Sequence, residues 1–315
     1  MSAVGLIINE RSSRVRSILD DLLHVARQFP TVRATVLNGI DGLDHALSEM
    51  NRANVDTIMV AGGDGTIQAA FTDAINMRRF KHDPRYVAIP CGMTNVIAAD
   101  CGLRGSPIDA LDQFLWRRNR GDVKRVRRAL MGVRIGERRA PVYGFFLGAG
   151  AFTTAVKYSR SEIQAKGAKR SLAMGMTIGG AIVNAAFGEK PTEAPLVADL
   201  RSPMSPFDGP TPMTMALMTT LRRLVLGVNP FWGDGSGALA VTTIGFPASR
   251  MMAAAPSVLR GRPKPWFAEA GYRSWRTNAL DAEFEGTVVF DGEFFTVGQG
   301  ERVVIETTHD AEFLN

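Results

Sequence analysis

The sequence predicts an α/β protein in which a mostly parallel N-terminal domain is followed by a second, β-rich antiparallel domain. Strand-like and helix-like patterns alternate over the first 110 residues. After Gly121 the chain changes to short β-branched runs separated by glycine, proline and charged turns. A length of 315 residues also suggests about two domains. We therefore expect a first domain over residues 1–124 and a second over 125–301.

The first domain contains four apolar strands, each followed by a helical pattern. An alternation of this kind is typical of a parallel sheet that binds ligands at the carboxyl ends of its strands. The predicted strands are Val4–Ile8, Val32–Val36, Asp56–Ala61 and Tyr86–Ile89. The predicted helices are Val15–Arg27, Leu43–Met50, Ile67–Ile75 and Thr94–Ala99.

The second domain is expected to be an antiparallel sandwich with one or two helical inserts. Its predicted strands are Leu130–Ile135, Tyr143–Leu147, Met213–Thr219, Leu239–Ile244, Thr287–Phe290 and Arg302–Glu306. Residues 191–212 contain several prolines and glycines, which predicts a surface loop.

Composition favours a soluble, cytoplasmic protein. Hydrophobic residues make up 45% and charged residues 22%, as in ordinary globular chains. The two cysteines, Cys91 and Cys101, lack the paired spacing of a zinc site and cannot form a disulfide framework. The uncharged stretch 171–188 is interrupted by glycines and polar residues, so we expect a helix lining a hydrophobic site rather than a membrane span.

Positive charge is concentrated in one segment. Residues 104–139 hold 11 Arg or Lys against 4 Asp or Glu, which gives +7, whereas the whole chain carries +6. Such a segment could meet nucleic acid, anionic lipid or a phosphorylated ligand, or it could be a solvated surface. We expect no nucleic-acid partner, because no recognised reader module or stacking pattern accompanies the charge.

Two glycine turns follow neighbouring strands of the first domain. GGDGT, residues 62–66, stands between a strand and a helix, where the backbone N–H groups of Gly62, Gly63, Gly65 and Thr66 can cradle phosphate. PCGMTN, residues 90–95, repeats the arrangement, and there Gly92 permits close approach while Thr94 and Asn95 could donate to phosphate or cap the helix. A tight Asp-Gly turn without a ligand is the alternative for the first turn.

The pairing of these turns resembles the catalytic domain of the diacylglycerol kinase and sphingosine kinase superfamily. Further landmarks of that family stand in order along most of the chain. They are IINERSS at 7–13, FFLGAGAFTTAV at 145–156, WGDGSGALAVTTIG at 232–245 and VVFDGEFF at 288–295. The resemblance implies a fold of the phosphofructokinase and NAD kinase type, with Asn9 near the nucleotide, ATP and Mg²⁺ as cofactors, and a C-terminal tail, 302–315, that returns to the first domain.

The resemblance also implies roles for acidic residues. Asp64 would bind magnesium, since a carboxylate has no reason to approach phosphate without a cation. One of Asp291 and Glu293 would be the general base. Because the two residues are two positions apart, a regular strand would point both side chains towards one site. Asp234, in a glycine-rich turn, could belong to a structural metal site. Turn formation explains each of these aspartates equally well without the resemblance.

These observations predict an ATP-dependent lipid kinase that phosphorylates a hydroxyl of diacylglycerol or a related lipid. Its substrate would be met at a membrane surface, with anionic phospholipid as a further partner of the basic and aromatic segment Met251–Trp266. The protein would then be peripherally membrane-associated. The sequence is also compatible with a homodimer. The alternatives are a kinase of a sphingoid base, NAD or another hydroxylated ligand, and a non-catalytic nucleotide or lipid sensor.

Overall fold

The computed structural model describes residues 3–138, 140–166, 195–224 and 227–315. The chain forms two compact units, the first comprising Met1–Arg128 with Asp310–Asn315 and the second Ala129–His309. Both boundaries between the units fall inside a strand, four and eight residues after the positions expected from the sequence. The predicted class is confirmed, since a parallel α/β unit is joined to a unit rich in antiparallel strands.

The first unit alternates strands with helices. Its strands are β1 (Val4–Asn9), β2 (Val32–Leu37), β3 (Thr57–Gly62) and β4 (Arg85–Pro90). Its helices are α1 (Leu19–Arg27), α2 (Leu43–Arg52), α3 (Asp64–Asn76), α4 (Val96–Cys101) and α5 (Pro107–Asn119). A 3₁₀ turn, Val15–Ser17, precedes α1, so the predicted helix over 15–27 is divided.

The sheet of the first unit is parallel and has the order β4–β3–β1–β2. Strands β1 and β3 are buried along their whole length, which explains why both are continuous apolar runs. Helix α5 was not predicted from the sequence; Ala110, Leu111 and Phe114 bury its apolar face. The C-terminal residues also belong to this unit, where Phe313 pairs with Tyr86 of β4 and Asn315 exchanges backbone hydrogen bonds with Lys124.

The second unit contains most of the remaining strands. They are β5 (Arg125–Ile135), β6 (Val142–Gly144), β7 (Phe146–Gly150), β8 (Leu196–Arg201), β9 (Thr211–Thr219), β10 (Leu239–Gly245), β11 (Tyr272–Thr277), β12 (Ala279–Glu283), β13 (Gly286–Phe290), β14 (Glu293–Val297) and β15 (Arg302–Leu314). Its helices are α6 (Ala151–Lys166) and α7 (Met251–Leu259). The antiparallel path β14–β13–β7–β9 continues from β9 to both β8 and β10.

Two sequence-based expectations in this unit were wrong. Residues 191–212 are not one loop, because Leu196–Arg201 forms β8 between β9 and β12. The run Tyr143–Leu147 is not one strand, since β6 ends at Gly144 and β7 begins at Phe146. In both cases pairing with distant strands, which local composition does not encode, decides the outcome.

The apolar stretch 171–188 lies outside the described residues. Within the ranges that are described, no helix combines the length and the apolar character needed to cross a membrane. Both cysteines are buried and unpaired.

Candidate active site

The two glycine turns open at the same edge of the parallel sheet. Gly62, the last residue of β3, lies opposite Pro90, the last residue of β4. Helix α3 begins two residues after the end of β3, and its N-cap Gly63 has extended backbone angles. The loop 91–95 follows β4 and leads into α4. The register of two neighbouring strands therefore brings the two turns together.

Contact between the turns requires glycine. A Cβ atom at Gly92 would lie 2.6 Å from the Cα atom of Gly63, a separation that real side chains do not show. A Cβ atom at Gly62 would lie 2.8 Å from the Cβ atom of Thr66. Any side chain at these positions would push the two turns apart or displace the start of α3.

The end of β1 is hydrogen-bonded to the first glycine turn. The Asn9 side-chain amide donates to the Thr66 hydroxyl at 2.7 Å, and both residues are buried. The backbone N–H of Gly63 donates to the Ser12 hydroxyl at 3.1 Å. Asn9 thus lies beside the GGDGT turn, because β1 and β3 are parallel neighbours.

The Asp64 carboxylate connects the first turn to the second. Its Oδ2 atom accepts from the Thr94 hydroxyl at 2.8 Å and from Val96 N–H at 3.0 Å, and its Oδ1 atom accepts from Ile97 N–H at 3.1 Å. The residue is only 6% exposed. Burial raises the pKa of the Asp64 carboxyl above its ordinary value, and the hydrogen bonds from Thr94, Ile97 and Val96 partly offset that rise in pKa.

The Asn95 side chain closes the second turn on itself. Its Oδ1 atom accepts from Gly92 N–H at 2.7 Å, and its amide donates to the Gly92 carbonyl at 2.9 Å. Asn95 has a left-handed backbone, with φ 52°, which asparagine tolerates better than most residues. The Thr94 hydroxyl donates a hydrogen bond to Asp64. The side chains of Thr94 and Asn95, which were predicted to donate to phosphate, are therefore hydrogen-bonded within the two turns.

The acidic motif of the second unit forms a hairpin turn. Asp291 and Gly292 connect β13 to β14, and both have positive φ, 46° and 90°. Asp291 is buried; its carboxylate oxygens accept from Phe145 and Phe146 N–H, each at 2.9 Å. Glu293 starts β14 and is exposed. The expectation that both acids face one side of a regular strand was therefore wrong, because the turn separates them.

A comparison with known protein families finds a match to the first unit. Residues 3–126 match the diacylglycerol kinase catalytic domain, and this segment contains both glycine turns. This segment is similar to a diacylglycerol kinase catalytic domain. The resemblance noted from GGDGT and PCGMTN is thus confirmed, and a kinase domain implies phosphotransfer. A search of curated proteins gives no match to the chain.

Solved structures with a similar fold extend over the whole chain. One, named as a proposed diacylglycerol kinase from Bacillus anthracis strain Sterne, is 15% identical with a TM-score of 0.66, covering 99% of this chain and 94% of that one. Another, named as a diacylglycerol kinase from the same organism, is 14% identical with a TM-score of 0.62, covering 99% and 96%. At such identities the likeness concerns the fold.

The start of α3 offers backbone donors to an anion, but the described residues present no evident magnesium ligands. Of the N–H groups that the sequence predicted to cradle phosphate, that of Gly63 donates to the Ser12 hydroxyl and that of Thr66 to the Gly63 carbonyl. Those of Asp64 and Gly65 remain as candidates for binding an anion. For magnesium the donor set does not fit. Asp64 is buried under three donors, and no cluster of three or more His, Cys, Asp or Glu is found in the described ranges. Asp234 is exposed in the loop before β10.

Two basic residues near the Asp291 turn were not predicted from the sequence. The Arg160 guanidinium, on α6, donates to the Gly292 carbonyl and lies 4.9 Å from the centroid of the Phe294 ring. The Lys157 ammonium lies 5.9 Å from the same centroid. The two contacts bring positive charge to the Asp291 turn. Their residues are more than 130 positions from that turn in sequence, so no local pattern indicates them.

Much of the basic segment 104–139 is engaged in ion pairs. In the first unit Arg118 pairs with Asp56, Arg125 with Glu312, Arg127 with Asp310 and Arg128 with Asp100, and in the second Arg134 pairs with Glu306. The carboxylates lie outside the segment in sequence, which is why its charge appeared unbalanced. The fold thus reduces the positive field that the sequence alone suggested.

Proposed function

We propose that the protein is an ATP-dependent lipid kinase that transfers the γ-phosphate to a hydroxyl of diacylglycerol or a related lipid. The observation that carries the proposal is the family match over residues 3–126, which covers two glycine turns held in contact at one sheet edge. Phosphoryl transfer depends mainly on positioning and charge stabilisation, and rigid backbone donors supply both.

In the proposed reaction the lipid hydroxyl oxygen attacks the γ-phosphorus. The bond between that phosphorus and the β,γ-bridging oxygen breaks, ADP leaves, and the hydroxyl proton passes to a carboxylate. Backbone N–H groups of Asp64 and Gly65 would bind phosphate oxygens. Asp291 and Glu293 are the candidates for the proton acceptor. Mg²⁺ bound with the nucleotide would neutralise phosphate charge.

We further propose that the protein meets anionic lipid through the surface of α7 and the segment after it. Met252 is 69% exposed, and Ala253 and Pro256 are also exposed beside it. Four exposed basic residues frame this apolar face: Arg250, Arg260, Arg262 and Lys264. None of the four forms an ion pair with a carboxylate in the described part of the chain, unlike the paired arginines of the basic segment.

The first test is transfer of labelled phosphate from ATP-Mg to a panel of acceptors in mixed micelles. Diacylglycerol, ceramide and sphingosine represent lipids, and NAD represents soluble acceptors. Wild type is compared with Gly92→Ala, which disturbs the contact between the turns, and with Gly209→Ala, whose added Cβ meets nothing within 4 Å. Transfer to a lipid that is lost only in Gly92→Ala supports the proposal. Transfer to NAD alone would indicate a soluble-acceptor kinase, and retained ATP binding without transfer would indicate a sensor.

The second test is sedimentation with vesicles of phosphatidylcholine, with and without phosphatidylglycerol. We expect binding that requires the anionic lipid and is weakened by Arg260→Ala combined with Arg262→Ala. Arg16→Ala combined with Arg33→Ala, two exposed residues of the first unit, removes the same charge and is the control. Equal binding to both vesicle types would contradict the docking surface.

A further inference from the structure

The Asp64 carboxylate accepts hydrogen bonds from three donors that all lie 30 or more residues further along the chain. The donors are the Thr94 hydroxyl and the backbone N–H groups of Val96 and Ile97. Two of them belong to α4 and the third to the loop before it. Asp64 itself begins α3. One side chain thus connects the start of one helix to the start of the next.

These bonds replace a missing helix cap. The first N–H groups of a helix have no acceptor within it and usually receive one from the N-cap side chain. Asn95 occupies the N-cap of α4, but it makes no capping hydrogen bond, since its side chain is bonded to Gly92. Asp64 supplies the acceptors instead. The second glycine turn is therefore held at Gly92 by the Asn95 side chain and at the start of α4 by Asp64.

The same bonds leave Asp64 poorly suited to a metal ion. A carboxylate offers about four lone-pair directions, and three are already occupied by protein donors. Mg²⁺ also retains several of its waters and needs room for them, whereas Asp64 is buried. A buried carboxylate with three donors is satisfied without a cation.

We propose that Asp64 is a positioning residue that holds the second glycine turn against the first, and not a magnesium ligand. This inference rests on the proposed function in one respect, because its first test measures ATP affinity. Through Asp64, the spacing of Gly63 and Gly92 is maintained without a bound cation. Loss of the carboxylate loosens residues 91–97 and thereby weakens phosphate binding.

The test compares Asp64→Asn, Thr94→Val and Thr94→Ser with wild type. ATP affinity is measured in EDTA, so that metal ligation cannot contribute. We expect a loss of about tenfold for Asp64→Asn, about fivefold for Thr94→Val, and less than about twofold for Thr94→Ser, which keeps the hydroxyl donor. Asp73→Asn removes a carboxylate from the same helix, where it pairs with Arg79, and is the control expected to bind as wild type.

Alkylation of Cys91 provides a readout that needs neither nucleotide nor activity. Cys91 follows Pro90 directly and is buried, so iodoacetamide should label it slowly in wild type and faster in Asp64→Asn and Thr94→Val. Peptide mapping separates it from Cys101. If wild type binds no nucleotide, the proposed function fails while this labelling still tests the connection. Unchanged labelling in the variants would overturn the positioning role of Asp64. The role would also be overturned if Asp64→Asn bound ATP in EDTA as tightly as wild type and regained activity at raised Mg²⁺.

Discussion

Gly63 and Gly92 approach so closely that a Cβ atom at position 92 would lie 2.6 Å from the Cα atom of Gly63. The contact joins the two turns that follow β3 and β4. It makes glycine at position 92 a packing requirement, in addition to any role in admitting phosphate.

Gly92→Ala should therefore destabilise the first unit and weaken ATP binding. Overpacking of this kind costs about 1–3 kcal/mol of unfolding free energy. Urea denaturation and ATP titration measure the two effects. Gly209→Ala should change neither, because its added Cβ has open space. If Gly92→Ala kept wild-type stability and ATP affinity, the two turns could move apart without loss of unfolding free energy, and the packing requirement would be contradicted.

Thr66→Val should destabilise the protein by leaving a buried donor without its acceptor. The Asn9 amide donates to the Thr66 hydroxyl at 2.7 Å, and valine keeps the shape but removes the oxygen. An unsatisfied buried donor costs about 1–3 kcal/mol. Thr66→Ser retains the oxygen and should recover most of the loss in urea unfolding. Equal stability of the valine and serine variants would contradict this account.

Asp291→Asn tests the general base. Asparagine tolerates the positive φ of this position, but its amide would face one of the two N–H donors, Phe145 or Phe146. If Asp291 is the base, turnover should fall by about a hundredfold or more. Glu293→Gln, at an exposed site, should then have little effect on turnover. Near-normal turnover in both variants would exclude the pair as the base.

The buried ion pair of Arg128 with Asp100 should contribute to stability far more than an exposed one. Arg128 Nε lies 2.6 Å from Asp100 Oδ2, and the side chains are 10% and 2% exposed. Arg128→Ala removes the guanidinium from a buried carboxylate, so we expect a loss of about 3 kcal/mol in unfolding free energy. Arg52→Ala, which breaks the exposed pair with Glu49, should cost less than about 0.5 kcal/mol. Similar losses in both variants would contradict the argument from burial.

Thiol labelling should be slow throughout the native protein at pH 8. Burial raises the pKa of Cys91 to about 12 and that of Cys101 well above its ordinary value, so both remain protonated thiols. A raised pKa in the folded state stabilises the fold below the ordinary pKa of 9.0, and this contribution is lost as pH rises through about 12. Rapid reaction of either cysteine in native wild type at pH 8 would contradict their burial.

The sequence by itself determined the order of the four strands and the first four helices of the first unit, and the position of both glycine turns. These features depend on local periods of apolar residues and on the few residues that permit a tight turn. The motifs GGDGT and PCGMTN were also enough to indicate the family. Element ends shifted by one or two residues, as at β3, Thr57–Gly62, because helix and strand termini carry little sequence signal.

Only the tertiary structure decided what the acidic residues contact. Asp64 accepts hydrogen bonds from Thr94, Val96 and Ile97. Asp291 accepts from Phe145 and Phe146, and in both cases separate segments fold against each other. Arg160 reaches the turn after Asp291 from another part of the chain, and carboxylates distant in sequence pair with the basic segment. Hydrogen bonds and ion pairs depend on distances across the fold, which neither composition nor spacing along the chain specifies.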